Sequence, residues 1–107
     1  MTLEYNAQGL IPAIIQDDET DAVLMLGYLN PDTLKTTQEI GQVVFWSRSR
    51  QEVWHKGATS GDYLEVRSIR QDCEGRSLLI RVKMLGGAVC HTGAKTCYFT
   101  EVVPAAG

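Results

Sequence analysis

Apolar and polar positions alternate with a period of two over several stretches of this chain, which predicts strands; one stretch instead carries helix-end signals. Residues 11–15 read as a strand, the polar run 16–20 as a turn, and 23–29 as a second strand, together a hairpin. The helix signal follows at about residues 31–40: Asn30 suits the cap, Pro31 the first helical position, Asp32 the first turn, and Gly41 follows the end. Its apolar stripe is thin, chiefly Leu34 and Ile40, so the caps carry the assignment. Residues 43–47 and Val53-Trp54 read as two short strands around a polar turn. Over residues 63–70 the alternation shifts phase at Ile69, which predicts a bulge. Residues 78–84 alternate cleanly, Ile80, Val82 and Met84 against Arg81 and Lys83, and residues 96–103 are expected to form a final strand. The predicted class is mainly β with one short helix, in a single domain covering residues 1–107, with a loose tail at 104–107. So much sheet edge on so short a chain gains from pairing with a second copy.

Composition narrows the class little: 44% hydrophobic and 21% charged residues are ordinary for a globular domain of 107 residues. The apolar run at 24–29 is far too short to span a bilayer, and the N-terminus lacks the basic start and long apolar stretch of a signal peptide. The expectation is a cytoplasmic protein with no membrane partner. A net charge of −3 argues against a general nucleic-acid binder. It leaves room for a small phosphorylated substrate, because a few arginines serve one or two phosphates.

The three cysteines, Cys73, Cys90 and Cys97, are an odd number for a disulfide framework and suit thiolate metal ligands if they meet in space. Cys90 and Cys97 bound a polar, glycine-containing loop with His91. Three protein ligands suffice for a catalytic zinc, which leaves a position for water. Each cysteine alone reads more readily as a small buried apolar residue, whereas the pair flanking the His-Thr-Gly loop reads more readily as metal ligands. Asp72-Cys73-Glu74, read as strand, would place Asp72 and Glu74 on one face as oxygen donors for Mg2+; Glu74-Gly75-Arg76 reads instead as a solvated turn. Arg48, Ser49 and Arg50, with Lys56, Thr59 and Ser60, are the residue types that recognise phosphate, while Trp46 could stack on a base and His55 could serve as a general base. Core tryptophans and a hydrogen-bonding structural histidine are the plainer alternatives.

Taken together, Gly9-Leu10-Ile11-Pro12-Ala13, Val23-Leu24-Met25-Leu26-Gly27-Tyr28, Phe45-Trp46-Ser47-Arg48-Ser49-Arg50, Trp54-His55-Lys56-Gly57, Thr59-Ser60-Gly61, Asp72-Cys73 and Cys90-His91-Thr92-Gly93 resemble the phosphoribosyl-AMP cyclohydrolase family. The resemblance runs from Gly9 to Phe99. It implies an intertwined homodimer of mainly β structure and a zinc held by Cys73 of one chain with Cys90 and Cys97 of the other. It also implies a Mg2+ site on an Asp-Cys-Asp-x-Asp pattern, from which this chain departs: Asp72 is kept, Glu74 stands second, and Arg76 stands third. Arginine has no acceptor and a permanent charge, so a direct contact from Arg76 to a substrate phosphate is one expectation.

The implied reaction adds water to C6 of the N1-substituted adenine and breaks the N1–C6 bond, as a step of histidine biosynthesis. Zinc would bring the water's pKa near neutrality. His91, beside a zinc ligand, is the first candidate for proton transfer and His55 the second. Arg48, Arg50, Lys56, Thr59 and Ser60 are expected to grip the two phosphate ends. Three other readings compete. A catalytically impaired nucleotide- or zinc-binding relative is kept open by Arg76. A zinc-dependent nucleobase deaminase would release ammonia, and its His-x-Glu and Cys-x-x-Cys pattern is absent. A structural zinc domain would show four filled ligand positions. Some organisms fuse this activity to a pyrophosphohydrolase domain, and none is expected in this chain.

Overall fold

The N-terminal hairpin anchors the fold. In the computed structural model, which describes residues 2–103, β1 (Ile11–Asp17) pairs antiparallel with β2 (Val23–Leu29). Ile11, Ala13 and Ile15 face inward and are fully buried, while Pro12, Ile14 and Gln16 face outward, the period-two pattern of a half-buried strand. The strand runs two residues past the expected end, because Asp17 also turns inward and is buried.

After β2 comes helix α1 (Pro31–Ile40). The Asn30 side chain accepts from the Thr33 amide at 2.8 Å and the Thr33 hydroxyl accepts from the Asn30 amide at 2.9 Å, a reciprocal cap. Gly41, at φ 71°, closes the helix by donating its N–H to Thr37. The buried face differs from the expected stripe: Ile40 is half exposed, and Thr33, Leu34 and Thr37 face inward. Thr37 is tolerated there because its hydroxyl donates to the Thr33 carbonyl and accepts from the Val44 amide at 3.0 Å.

That last bond fastens α1 to β3 (Val44–Ser47), which pairs with β4 (Glu52–His55) in a two-stranded sheet. β5 (Leu64–Gln71) and β6 (Leu78–Met84) complete a four-stranded mixed sheet in the order β2-β1-β6-β5, with β1 and β6 parallel. The bulge lies between Val66 and Ser68, slightly upstream of the phase shift at Ile69. Ile11, Ile15, Leu29, Phe45, Leu64, Ile80 and Val82 form the fully buried centre.

The expected strand at 96–103 does not form. The Thr96 hydroxyl donates to the Val23 carbonyl at 2.8 Å and accepts from the Tyr98 amide at 3.0 Å, which turns the chain away after one backbone bond, Cys97 to Leu24. Its apolar residues are also paired in sequence, Tyr98-Phe99 and Val102-Val103, rather than alternating, and all four stay exposed. The tail at 104–107 lies outside the described residues.

Candidate active site

The thiol loop is built on the edge strand β2. The amides of Val89 and Cys90 both donate to the Ala94 carbonyl at 3.1 Å, and Gly93, at φ 89°, donates to Cys90 at 3.0 Å. This tight turn brings Cys97 back to Cys90, so the two thiols lie side by side. Three contacts hold the returning limb: Thr96 and Cys97 on β2, and the Lys95 ammonium 3.7 Å from the buried Asp17 carboxylate. Burial alone would raise the Asp17 carboxyl. The Thr20 hydroxyl, the Glu19 N–H and Lys95 outweigh it and hold the group below its ordinary range.

The same contest divides the two thiols. Hydrogen bonds from the Thr92 side chain and backbone, with help from Cys97 and the Lys56 charge, pull the Cys90 thiol below its ordinary value against partial desolvation. Desolvation, joined by the neighbouring Cys90, pushes the Cys97 thiol up.

Facing the thiol loop is the turn that follows β4. Lys56 is buried, gives one N–H to the Val89 carbonyl, and sits 5.2 Å from the centre of the Trp54 ring. Burying an ammonium requires such partners. Gly57, at φ 94°, allows the Tyr63 amide to approach so closely that a Cβ would stand 2.4 Å from it. The result is a cavity of about 250 Å³ lined by Lys56, Gly57, Thr59, Ser60, Cys90 and His91 with Trp54, Asp62, Ala88, Val89 and Gly93. Two segments some thirty positions apart in sequence thus meet around one space.

A second hollow of about 230 Å³ lies across Trp54 and holds Trp46, Arg48 and Ser49 with Tyr28 and Phe45. Arg48 stacks 3.9 Å above the Tyr28 ring. Arg50 is drawn to Ser47 and Glu52 and lines neither hollow. His55 does not line the cavity that holds Cys90: its Nε2 is 2.8 Å from Gln42 Oε1 and its ring packs on Tyr63.

The Asp72–Arg76 segment is elsewhere, in the turn between β5 and β6. Of the two readings of this segment the solvated turn holds and the shared strand face does not, because β5 ends at Gln71 and the chain turns at once. Asp72 accepts from the Ser77 hydroxyl at 2.6 Å and the amides of Arg76 and Glu74, which holds its carboxyl below the usual range. Arg76 reaches Glu4 at 3.2 Å and Glu74 at 3.4 Å. Cys73 is exposed in this turn, and among the described residues of one chain no three His, Cys, Asp or Glu side chains converge as a metal site. Sequence reasoning missed Asp62, Thr92 and Lys95. No local signal pointed to Asp62, whose carboxylate fills the space that Gly86 leaves by lacking a Cβ.

One acidified thiol, an adjacent imidazole, a buried ammonium and two hydroxyls line one cavity of a small β-sheet domain, with a second thiol beside the first, a set of groups suited to hydrolytic chemistry on a phosphorylated substrate. The family model of phosphoribosyl-AMP cyclohydrolase matches residues 25–99. The phosphoribosyl-AMP cyclohydrolase of Streptococcus sanguinis (strain SK36) is 56% identical over 101 residues, 94% of this chain and 88% of that relative. That of Clostridium botulinum (strain Okra / Type B1) is 53% identical over 95 residues, 89% of this chain and 86% of the relative. A histidine biosynthesis bifunctional protein of Nostoc sp. is 47% identical over 96 residues, 90% of this chain and 44% of the relative. The chain belongs to the phosphoribosyl-AMP cyclohydrolase family, hydrolases of histidine biosynthesis.

Proposed function

We propose that this chain opens the adenine ring of phosphoribosyl-AMP in the cavity between the Lys56–Ser60 turn and the Cys90–Cys97 loop. The convergence of Lys56, Thr59 and Ser60 with Cys90 and His91 on one space carries this reading. Water adds to C6 and the N1–C6 bond breaks. The water oxygen becomes a carboxamide oxygen, the exocyclic nitrogen stays on C6, and a proton ends on N1, so no ammonia leaves.

The donor set fits zinc at Cys90 and Cys97, whose thiols lie together with one already acidified. By the family resemblance the third ligand would be Cys73 of the partner subunit in a homodimer, and the position of Cys73 in the separate β5–β6 turn of its own chain agrees with that. When bound, the metal supplies acidity to a water molecule. His91 takes the proton that leaves that water and returns one to N1. Lys56, Thr59 and Ser60 bind a phosphate end, and Arg48 on its Tyr28 platform, with Trp46 and Ser49, serves the other. The dimer has further support in the outward sheet face, where Ile14 and Leu26 stand directly opposite one another and are exposed beside the Pro12–Tyr28 pair. Among the described residues no helix is long and apolar enough to cross a membrane, in keeping with a cytoplasmic enzyme.

Ultraviolet monitoring of phosphoribosyl-AMP with the zinc-loaded protein tests the reading. Ring opening without ammonia release is expected, with His91→Ala losing turnover while keeping its zinc. Ammonia release would point to deamination. Absence of turnover from folded, zinc-loaded protein would leave a binding relative, and undiminished turnover in His91→Ala would remove that residue from the proton path.

A further inference from the structure

The turn between β5 and β6 is arranged around a side-chain cation. Gly75, at φ 70°, is buried where the N-terminal segment crosses it: Glu4 donates its amide to the Gly75 carbonyl at 2.7 Å, and a Cβ on Gly75 would stand 2.6 Å from the Thr2 carbonyl oxygen. This close crossing delivers the Glu4 carboxylate to Arg76. The guanidinium then has Glu4 Oε2 3.2 Å from Nε and Glu74 Oε2 3.4 Å from Nη1. Two carboxylates, Glu4 and Glu74, therefore flank one permanent positive charge, while Asp72 opens the same turn bonded to its amides and to Ser77.

The remaining oxygens do not suit a hard divalent ion. Magnesium takes near-octahedral oxygen ligands and needs carboxylate lone pairs free to point at it. Asp72 offers about four acceptor positions. Three are taken, by the Ser77 hydroxyl at 2.6 Å, the Glu74 amide at 2.9 Å and the Arg76 amide at 3.0 Å. The Glu74 carboxylate already faces the guanidinium. The Asp72-Cys73-Glu74-Gly75-Arg76 segment thus does not fit the magnesium that the family resemblance implied.

We propose that Arg76 is the resident cation of this turn, joining Glu4 and Glu74 as a metal ion would join carboxylates, and that the turn consequently excludes magnesium. A guanidinium is always charged and bridges two carboxylates with directed N–H donors, so it organises the turn without metal. Replacing it with aspartate puts a third carboxylate beside Glu4 and Glu74 with no charge to balance them, which is the condition that draws in a divalent ion.

The test is Mn2+ binding to the zinc-loaded protein, followed by electron paramagnetic resonance, a readout independent of turnover and so of the proposed reaction. The wild-type turn is expected to contribute no Mn2+ site. Arg76→Asp should gain one, tightening Mn2+ binding about tenfold or more, since the local charge changes by two units. Adding Glu74→Gln to that variant should abolish the gain and assign it to this turn, and Arg76→Lys should still exclude Mn2+. A wild-type Mn2+ site that Glu74→Gln removes would overturn the proposal. So would an Arg76→Asp protein, folded by circular dichroism, that gains no site, because the turn would then lack cation affinity with or without the guanidinium.

Discussion

Gly27 sits in the middle of β2, opposite Ala13, and its missing side chain makes room for the Phe45 ring. A Cβ at this position would stand 2.5 Å from two ring carbons and 3.2 Å from a third. Carbon atoms rest at roughly 3.5–4.0 Å, so Gly27→Ala forces a displacement of about 1 Å on a fully buried ring. Overpacking of this kind costs about 1–3 kcal/mol. Replacing glycine in a strand returns roughly 0.5–1 kcal/mol through the unfolded chain, which leaves a net loss of about 0–2.5 kcal/mol, centred on about 1 kcal/mol. At that centre Tm falls by roughly 4–8 °C for a domain of this size, measured by calorimetry at fixed protein concentration because association shifts the midpoint. Phe45 packs 5.3 Å from Trp54, which borders both hollows, so the displaced ring should also raise KM. Phe45→Leu in the Gly27→Ala background should recover part of the loss, with a coupling of about 0.5 kcal/mol or more. A Gly27→Ala Tm equal to or above wild type, or strictly additive effects in the double variant, would refute the steric argument.

Two further perturbations probe the supports of the site. Thr37→Val leaves the Val44 amide without its acceptor at a buried position and should cost about 1–3 kcal/mol in urea unfolding; unchanged stability would mean that water or a shifted strand satisfies the amide. Asp17→Asn should destabilise by about 1–3 kcal/mol at pH 7, where the carboxylate is ionised and bonded. Because the folded pKa lies below the unfolded one, this stabilisation is complete above about pH 4 to 5 and is lost as pH falls through the folded value. The gap between the wild-type and Asp17→Asn unfolding curves should therefore narrow as pH falls below the ordinary carboxylate range, and a gap that stays constant or widens on acidification would show that charge is not the cause.

The elements that could be read from the chain were those whose signals are local. β6 follows from alternation alone, and α1 from Asn30, Pro31 and Gly41, because caps act within one turn. The helix face was less legible. A search for an apolar stripe selects Ile40, yet the fold buries Thr33 and Thr37, whose hydroxyls satisfy a cap and a neighbouring strand that no helical period announces. The expected strand at 96–103 failed for a related reason. β-branched and aromatic residues suggested pairing, but a single hydroxyl, that of Thr96, takes the β2 carbonyls that a ladder would use.

The site divides in the same way. Each motif was visible as a string, but only the fold shows that the turn of Lys56 and the loop of Cys90 enclose one cavity while His55 points to Gln42 and Tyr63. The separation of Cys73 from the other thiols is a constraint of topology rather than of side-chain choice. β5 and β6 run antiparallel and turn at Asp72–Ser77, whereas the Cys90–Cys97 loop is pinned to β2 at the opposite edge of a sheet ordered β2-β1-β6-β5. No rotamer of Cys73 crosses two intervening strands, each about 4.7–4.9 Å from the next. If the three thiols serve one metal, two copies must associate, each lending its β5–β6 turn to the other's β2 loop. Zinc content and subunit association should then fall together in Cys73→Ser. A Cys73→Ser protein that keeps one tightly held zinc per chain would instead place the whole ligand set within a single copy.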